Sequence, residues 1–251
     1  MSTNPASLSS AEAQHPAHIN HFARITGVLF NPKATFAEIV AAPTWLVPMV
    51  LLVALSAIAC FALNQRMDWR NFMSQQIEKS PRGADLSADQ KEQQIEKGAK
   101  FAPIFSYVLV PAIAIVILLV AAVMLGAYNL LAGTDVNFST SLAIVSHAFL
   151  PNILSTMIFL LVLFLKPFGT IDIENPVATN LAVFVPEDAA KWLMKLAFSI
   201  DIFSFWILAL IAVGFAAAKP RKLKFANAFG IAFSVWLLFV IGRVGWAWIF
   251  S

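Results

Sequence analysis

Few side chains in this sequence have both the chemistry and the placement to act on a proton, a metal or a substrate. His147 and Asn152 flank Pro151 in "SHAFLPNIL", inside a long apolar run. An imidazole there is a candidate proton carrier or polar anchor, and with Asn152 it could form a polar cluster at a helix break. A single histidine without a second ligand is poor grounds for a metal site. Asp201 opens the apolar run "DIFSFWILALIAVGFAAA", and Arg243 lies near the far end of the next one. "HPAHINH" spaces His15, His18 and His21 by three, but within a Ser/Ala/His-rich stretch that reads as a disordered tail over 1–21. The sequence has no phosphate-binding glycine loop, nucleophile elbow or zinc-protease motif. No catalytic residue, cofactor or metal is therefore expected. His147, Pro151, Asn152, Asp201 and Arg243 are the polar or structural candidates.

The elements that must position them follow from composition. The chain has 251 residues, 59% hydrophobic and only 12% charged, with 22 Phe and 7 Trp. A soluble chain carries about 25% charged residues. The sequence therefore reads as an all-α integral membrane protein whose first partner is the lipid bilayer. The net charge of +3 gives no footprint for nucleic acid, and none is expected as a partner. Cys60 is the one cysteine, so an intrachain disulfide is impossible. The first 24 residues lack the apolar core of a secretory signal.

A helix needs about 20 largely apolar residues to cross a bilayer. Five stretches qualify: 45–63, 104–131, 138–165, 200–218 and 225–249. The third is too long. At about 1.5 Å per residue it would reach about 42 Å, against a hydrocarbon core of about 30 Å. A break near Pro151 resolves the excess, because proline removes a donor and clashes with the preceding turn.

Between the first two runs, residues 64–100 carry seven basic and six acidic side chains. "MDWRNFMSQQI" and "SADQKEQQIEKGAK" read as the two arms of a helical hairpin broken at "SPRG". Ser87 and Gln90 form a capping-box pattern at the start of the second arm, which is expected to continue into the second span. Asn31 and Pro32 read as the cap and first residue of a short amphipathic helix with Phe36, Ile39 and Val40 on one face. It lies either at the membrane interface or packed on the bundle. Pro186, Glu187 and Asp188 read as an acidic helix start that runs on into the fourth span.

"KPRKLK" places four basic residues between the fourth and fifth runs, which assigns that turn to the cytoplasm. Five crossings then put the amino terminus inside and the carboxyl terminus outside. Asp201 lies 17 residues before Ala218, about 26 Å from the cytoplasmic edge. Arg243 lies 18 residues after Phe225, at the same depth. The preferred reading is an ion pair between them. The alternatives are separate solvation at the headgroups and a proton-relay role for Asp201, for which a deeper carboxylate is expected. Ala226, Gly230 and Ser234 on the fifth run, and Gly214 and Ala218 on the fourth, form small-residue rows that let helices approach closely, with packing within the bundle preferred to dimerisation.

"RITGVLFNPKATFAEI", "FSTSLAIVSHAFLP" and "SIDIFSFWILALIAVGF", in that order across five apolar runs, resemble the Yip-domain family of Ypt/Rab-interacting membrane proteins. The resemblance covers about residues 22–250, and "NPVATNLAVF" looks closest to bacterial members. It implies a five-helix membrane domain, a cytoplasmic amino terminus and no catalytic activity. Eukaryotic relatives bind prenylated GTPases through a long amino-terminal domain. Only about 44 residues precede the first run here, so GTPase binding is not carried over, and no family residue role is transferred. Some bacterial members accompany ATP-driven export systems. The expectation is a non-enzymatic accessory or scaffold protein of a bacterial inner membrane, associated with an exporter or another membrane complex. The alternatives are a small transporter or channel subunit using the broken third span, or a membrane-shaping, lipid-interacting protein.

Overall fold

The computed structural model describes residues 20–80, 83–173, 175–186 and 188–249. The expected tail, apart from its last two residues, lies outside the described residues, as do His15, His18, Pro81, Arg82 and Glu187. The described chain is helical, as its composition requires. The helices are α1 (His21–Phe30), α2 (Pro32–Ala41), α3 (Leu46–Arg66), α4 (Trp69–Lys79), α5 (Ala88–Val108), α6 (Ala112–Ala132), α7 (Phe138–Ala148), α8 (Pro151–Leu165), α9 (Lys191–Ser199), α10 (Ile202–Ala218) and α11 (Phe225–Ile249).

Two sets of contacts define the ends of the bundle. At one end Lys219, in the basic turn after α10, pairs with Asp135 in the α6–α7 turn at 3.5 Å. The Tyr128 hydroxyl near the end of α6 donates to the Ala228 carbonyl at the start of α11, at 2.7 Å. At the other end Arg66, closing α3, donates to the Lys166 carbonyl after α8 at 2.6 Å. The Gly169 amide returns a bond to the Arg66 carbonyl. The long apolar stretches of the described chain fall in α3, α6, α7–α8, α10 and α11. Four of these runs are long and apolar enough to cross a membrane: Leu46–Arg66, Ala112–Ala132, Phe138–Leu165 and Phe225–Ile249. The other, α10, is apolar but has only 17 residues, about 26 Å of helix.

The expected break in the third run is present. α7 ends at Ala148 and α8 begins at Pro151. Pro151 stands in the first turn of α8, where no intrahelical donor is needed. Three short-range bonds close the corner: Leu150 N–H to His147, Asn152 N–H to Phe149 and Ile153 N–H to Leu150, at 2.9–3.1 Å. The corner thus satisfies its own backbone, the condition for a break at membrane depth.

A second break was not anticipated. The 104–131 run is divided at Leu109–Pro111, between α5 and α6. The same rule applied to Pro111 would have found it. The capping box of Ser87 and Gln90 is formed at the start of α5. α4 and α5 make the expected hairpin, joined by the Arg70–Glu92 ion pair. At Gly98 the Met73 side chain of α4 packs directly on the α5 backbone and would have to shift to admit a methyl group.

The amino-terminal segment folds as two helices on the bundle. Asn20 caps α1, its side chain accepting from the Ala23 amide. Asn31 and Pro32 start α2 as expected, although the Asn31 side chain makes no cap bond. Phe36 and Ile39 are fully buried in the main core with Ile144, Leu210, Ile211 and Phe215. The face read as amphipathic is therefore covered by protein, packed on α10 and α7. The large apolar residues this segment presents outward are Phe22 and Phe30 of α1.

Candidate functional site

The core of the bundle is α7. Every residue from Thr140 to Ala148 is buried, polar ones included. A helix covered on all sides must satisfy its hydroxyls and imidazole locally. The Ser141 hydroxyl donates to the Ala121 carbonyl of α6 at 2.7 Å. Ser146 turns back to the Ala143 carbonyl at 3.2 Å. His147, 1% exposed, places Nδ1 2.8 Å from the same Ala143 carbonyl. A carbonyl acceptor fixes the proton on Nδ1. Among the described residues no bond joins His147 to Asn152, so the expected polar cluster is not assembled. Asn152, half-buried in the first turn of α8, contributes its backbone carbonyl to the Thr156 hydroxyl at 2.8 Å.

Beside this core lies a buried charge. Arg24 of α1 is 6% exposed. Its guanidinium donates to the Ala42 carbonyl at 2.9 Å, the Thr44 hydroxyl at 3.0 Å and the Glu38 carbonyl at 3.1 Å. These groups terminate α2, where helix carbonyls lack intrahelical donors and the helix dipole is negative. Arg24 thus ties α1 to the end of α2 and to the entry of α3. Sequence reasoning used Arg24 only for orientation. The available signal was an arginine four residues before Val28, on the apolar stripe of α1.

Tyr128 was also overlooked. Its ring is fully buried and stacks on Phe215, with centroids 3.9 Å apart and planes 4° from parallel. A tyrosine inside an apolar run needs a partner for its hydroxyl, and Ala228 supplies it.

Asp201 does not pair with Arg243. It caps α10: Oδ1 accepts from the amides of Phe203 at 2.9 Å and Ser204 at 3.1 Å. Oδ2 accepts from the Thr179 hydroxyl at 2.6 Å. The backbone joins in, with Ile202 N–H donating to Thr179 and Leu181 N–H to Ile200. Asp201 therefore pins the 175–186 loop to the far end of the bundle. Because it is a cap, the helix expected to run from 186–188 into the fourth span is not continuous. α9 begins at Lys191 and stops at Ser199. Arg243 is exposed and lies over the Phe239 ring at 5.8 Å. The expected ion pair is not formed: the Asp201 carboxylate is taken up by Phe203, Ser204 and Thr179, and the Arg243 guanidinium lies against Phe239.

The small-residue rows also part ways. Gly214 is buried, and a methyl group there would collide with Ile144 of α7 and crowd Phe36 of α2. Gly230 meets open space, and Ala226 and Ser234 are exposed. The α11 row therefore does not pack within the bundle.

A helical bundle with long apolar runs, an outward belt of Phe, Leu and Ile and self-satisfied breaks defines a multi-helix membrane protein. Its family follows from comparison: the Yip1 domain model matches residues 26–245, most of the chain. The chain belongs to the Yip1 domain family, whose members are membrane proteins not known as enzymes. No curated protein and no solved structure matches it.

Proposed function

We propose that this chain is a non-enzymatic scaffold or accessory subunit of a bacterial inner membrane. It would cross five times with its amino terminus in the cytoplasm and serve a membrane complex such as an ATP-driven exporter. The observation that carries this reading is the sealing of α7. His147, a group suited to relaying protons, is buried and bonded within its own helix. Two surface grooves are lined by residues of α6, α9, α11 and the basic turn, and His147 lines neither. A sealed bundle favours a structural role over a conducting one. The membrane-shaping alternative rested on an interfacial α2, whose apolar face is occupied by the bundle.

The α4–α5 hairpin is the proposed docking element. Among its helical residues only Ile77 is buried, and its arms are joined by the exposed Arg70–Glu92 pair and by packing of Met73 against Gly98. A photo-reactive residue at Gln75 or Gln93, both exposed, should give one common adduct with another membrane protein in intact cells. The same probe at Leu161 on α8 should not. Absence of adducts, together with proton or ion flux in proteoliposomes that His147→Ala abolishes, would replace the scaffold with a transporter. For topology, an impermeant thiol reagent on spheroplasts should label a single cysteine at position 87 and spare one at 222, in a background lacking Cys60. The reverse pattern would invert the orientation.

A further inference from the structure

The exposed α11 row and the basic turn meet in one groove of about 480 Å³. Lys222 and Asn227 line it at the turn end, Gly230 and Ser234 line it further along α11, and Leu131 and Ile231 supply apolar walls. The Ser234 hydroxyl donates to the Gly230 carbonyl at 2.8 Å, so the polar atoms of that stretch are turned onto its own backbone. Local charge is one-sided. Lys219 is paired with Asp135, whereas Arg221, Lys222 and Lys224 have no ion-pair partner among the described residues. α11 has no acid in its first turn.

A groove that is cationic at a helix-connecting turn and apolar along the helix suits an anionic amphiphile. We propose that it holds an anionic phospholipid, with the phosphate at Lys222 and Asn227 and an acyl chain along Gly230, Ser234 and Leu131. A second copy of the chain is the competing occupant, since small residues let helices approach closely. Parallel pairing through this row would bring the Arg221, Lys222 and Lys224 clusters of both copies together, and like charges juxtaposed at an interface are unfavourable. A phospholipid relieves that charge instead. This inference does not depend on the scaffold reading.

The test uses the full chain, delipidated in neutral detergent and exposed to vesicles of equal parts phosphatidylglycerol and phosphatidylcholine. Retained lipid is read by native mass spectrometry. Phosphatidylglycerol should be enriched, and Lys222→Gln should weaken its retention about fivefold. At Gly230 an added Cβ meets nothing within 4 Å, so Gly230→Leu places its side chain at the open groove. It should abolish retention while leaving the melting temperature unchanged. Lys222→Gln is an exposed substitution that keeps the test valid should Gly230→Leu misfold. Equal retention of both lipids, or wild-type retention by both variants, would overturn the proposal. So would conversion of a dimer to a monomer by Gly230→Leu, or displacement of the lipid by millimolar inorganic phosphate.

Discussion

α7 and α8 come from one long run of high hydropathy, yet they live in different surroundings. Nine of the eleven residues of α7 are buried, and four of those are Thr, Ser or His. Two of the fifteen residues of α8 are buried, and its outer face is Met157, Ile158, Leu161, Phe164 and Leu165. The more polar half is inside. In water the hydrophobic effect would reverse this order. In a bilayer, lipid tails are as apolar as leucine, so burial is decided by close packing and polar satisfaction. Small and hydroxylated side chains let α6, α10 and α2 approach α7, while bulky aliphatic ones suit the lipid side.

If packing at α7 decides stability, adding volume against it should do the most damage. Gly214→Leu would drive a side chain into Ile144 and Phe36. We expect it to destabilise the detergent-solubilised bundle by about 3 kcal/mol or more. An equal melting temperature for Gly214→Leu and Gly230→Leu would break the comparison. Next comes Arg24, which ties α1 to the end of α2 and to the entry of α3. Arg24→Ala removes three hydrogen bonds from a cation and leaves the end of α2 unsatisfied, a loss of about 2–3 kcal/mol. Hydrogen exchange should show it as faster exchange confined to α1, α2 and the start of α3. Smaller still is the matched pair of hydroxyls. Ser141→Ala in α7 strands the link to Ala121 and should cost about 1 kcal/mol. Thr156→Ala in α8 deletes only a bond to its own helix at Asn152 and should stay within about 0.5 kcal/mol.

Much of the frame was legible because its causes are local. The Pro151 break follows from the excess length of one run and the missing donor of one residue. The α4–α5 hairpin follows from a capping box and a polar stretch. The α11 boundaries follow from where apolarity begins and ends. The site was less legible because its causes are tertiary. Whether Phe36 and Ile39 meet lipid or protein depends on Gly214, nearly 180 residues away. Hydropathy treats α7 and α8 alike because both are apolar. Arg24 could be read as a topology signal without its partners, the chain between Glu38 and Thr44, which only the turn between α1 and α2 brings within reach.

The smallest expected quantity is the coupling between Asp201 and Arg243 at the far end of α10, where two readings of Asp201 make different predictions. An ion pair with Arg243 requires that Asp201→Asn and Arg243→Gln each destabilise, and that the double variant lose less than the sum. The observed geometry requires otherwise. As a cap accepting two amides and the Thr179 hydroxyl, Asp201 should lose about 1 kcal/mol on change to Ala. Asparagine caps nearly as well as aspartate, so Asp201→Asn should lose less, chiefly through the Thr179 contact. Arg243, exposed above Phe239, should lose within about 0.5 kcal/mol on change to Gln. The two effects should add, because the residues share no partner among the described contacts. Thr179→Val supplies the positive control. It deletes the donor to Oδ2, so its effect should shrink in the Asp201→Ala background while remaining full size in the Arg243→Gln background. Coupling of Asp201 to Arg243 rather than to Thr179 would restore the ion pair and place the two side chains on a shared face.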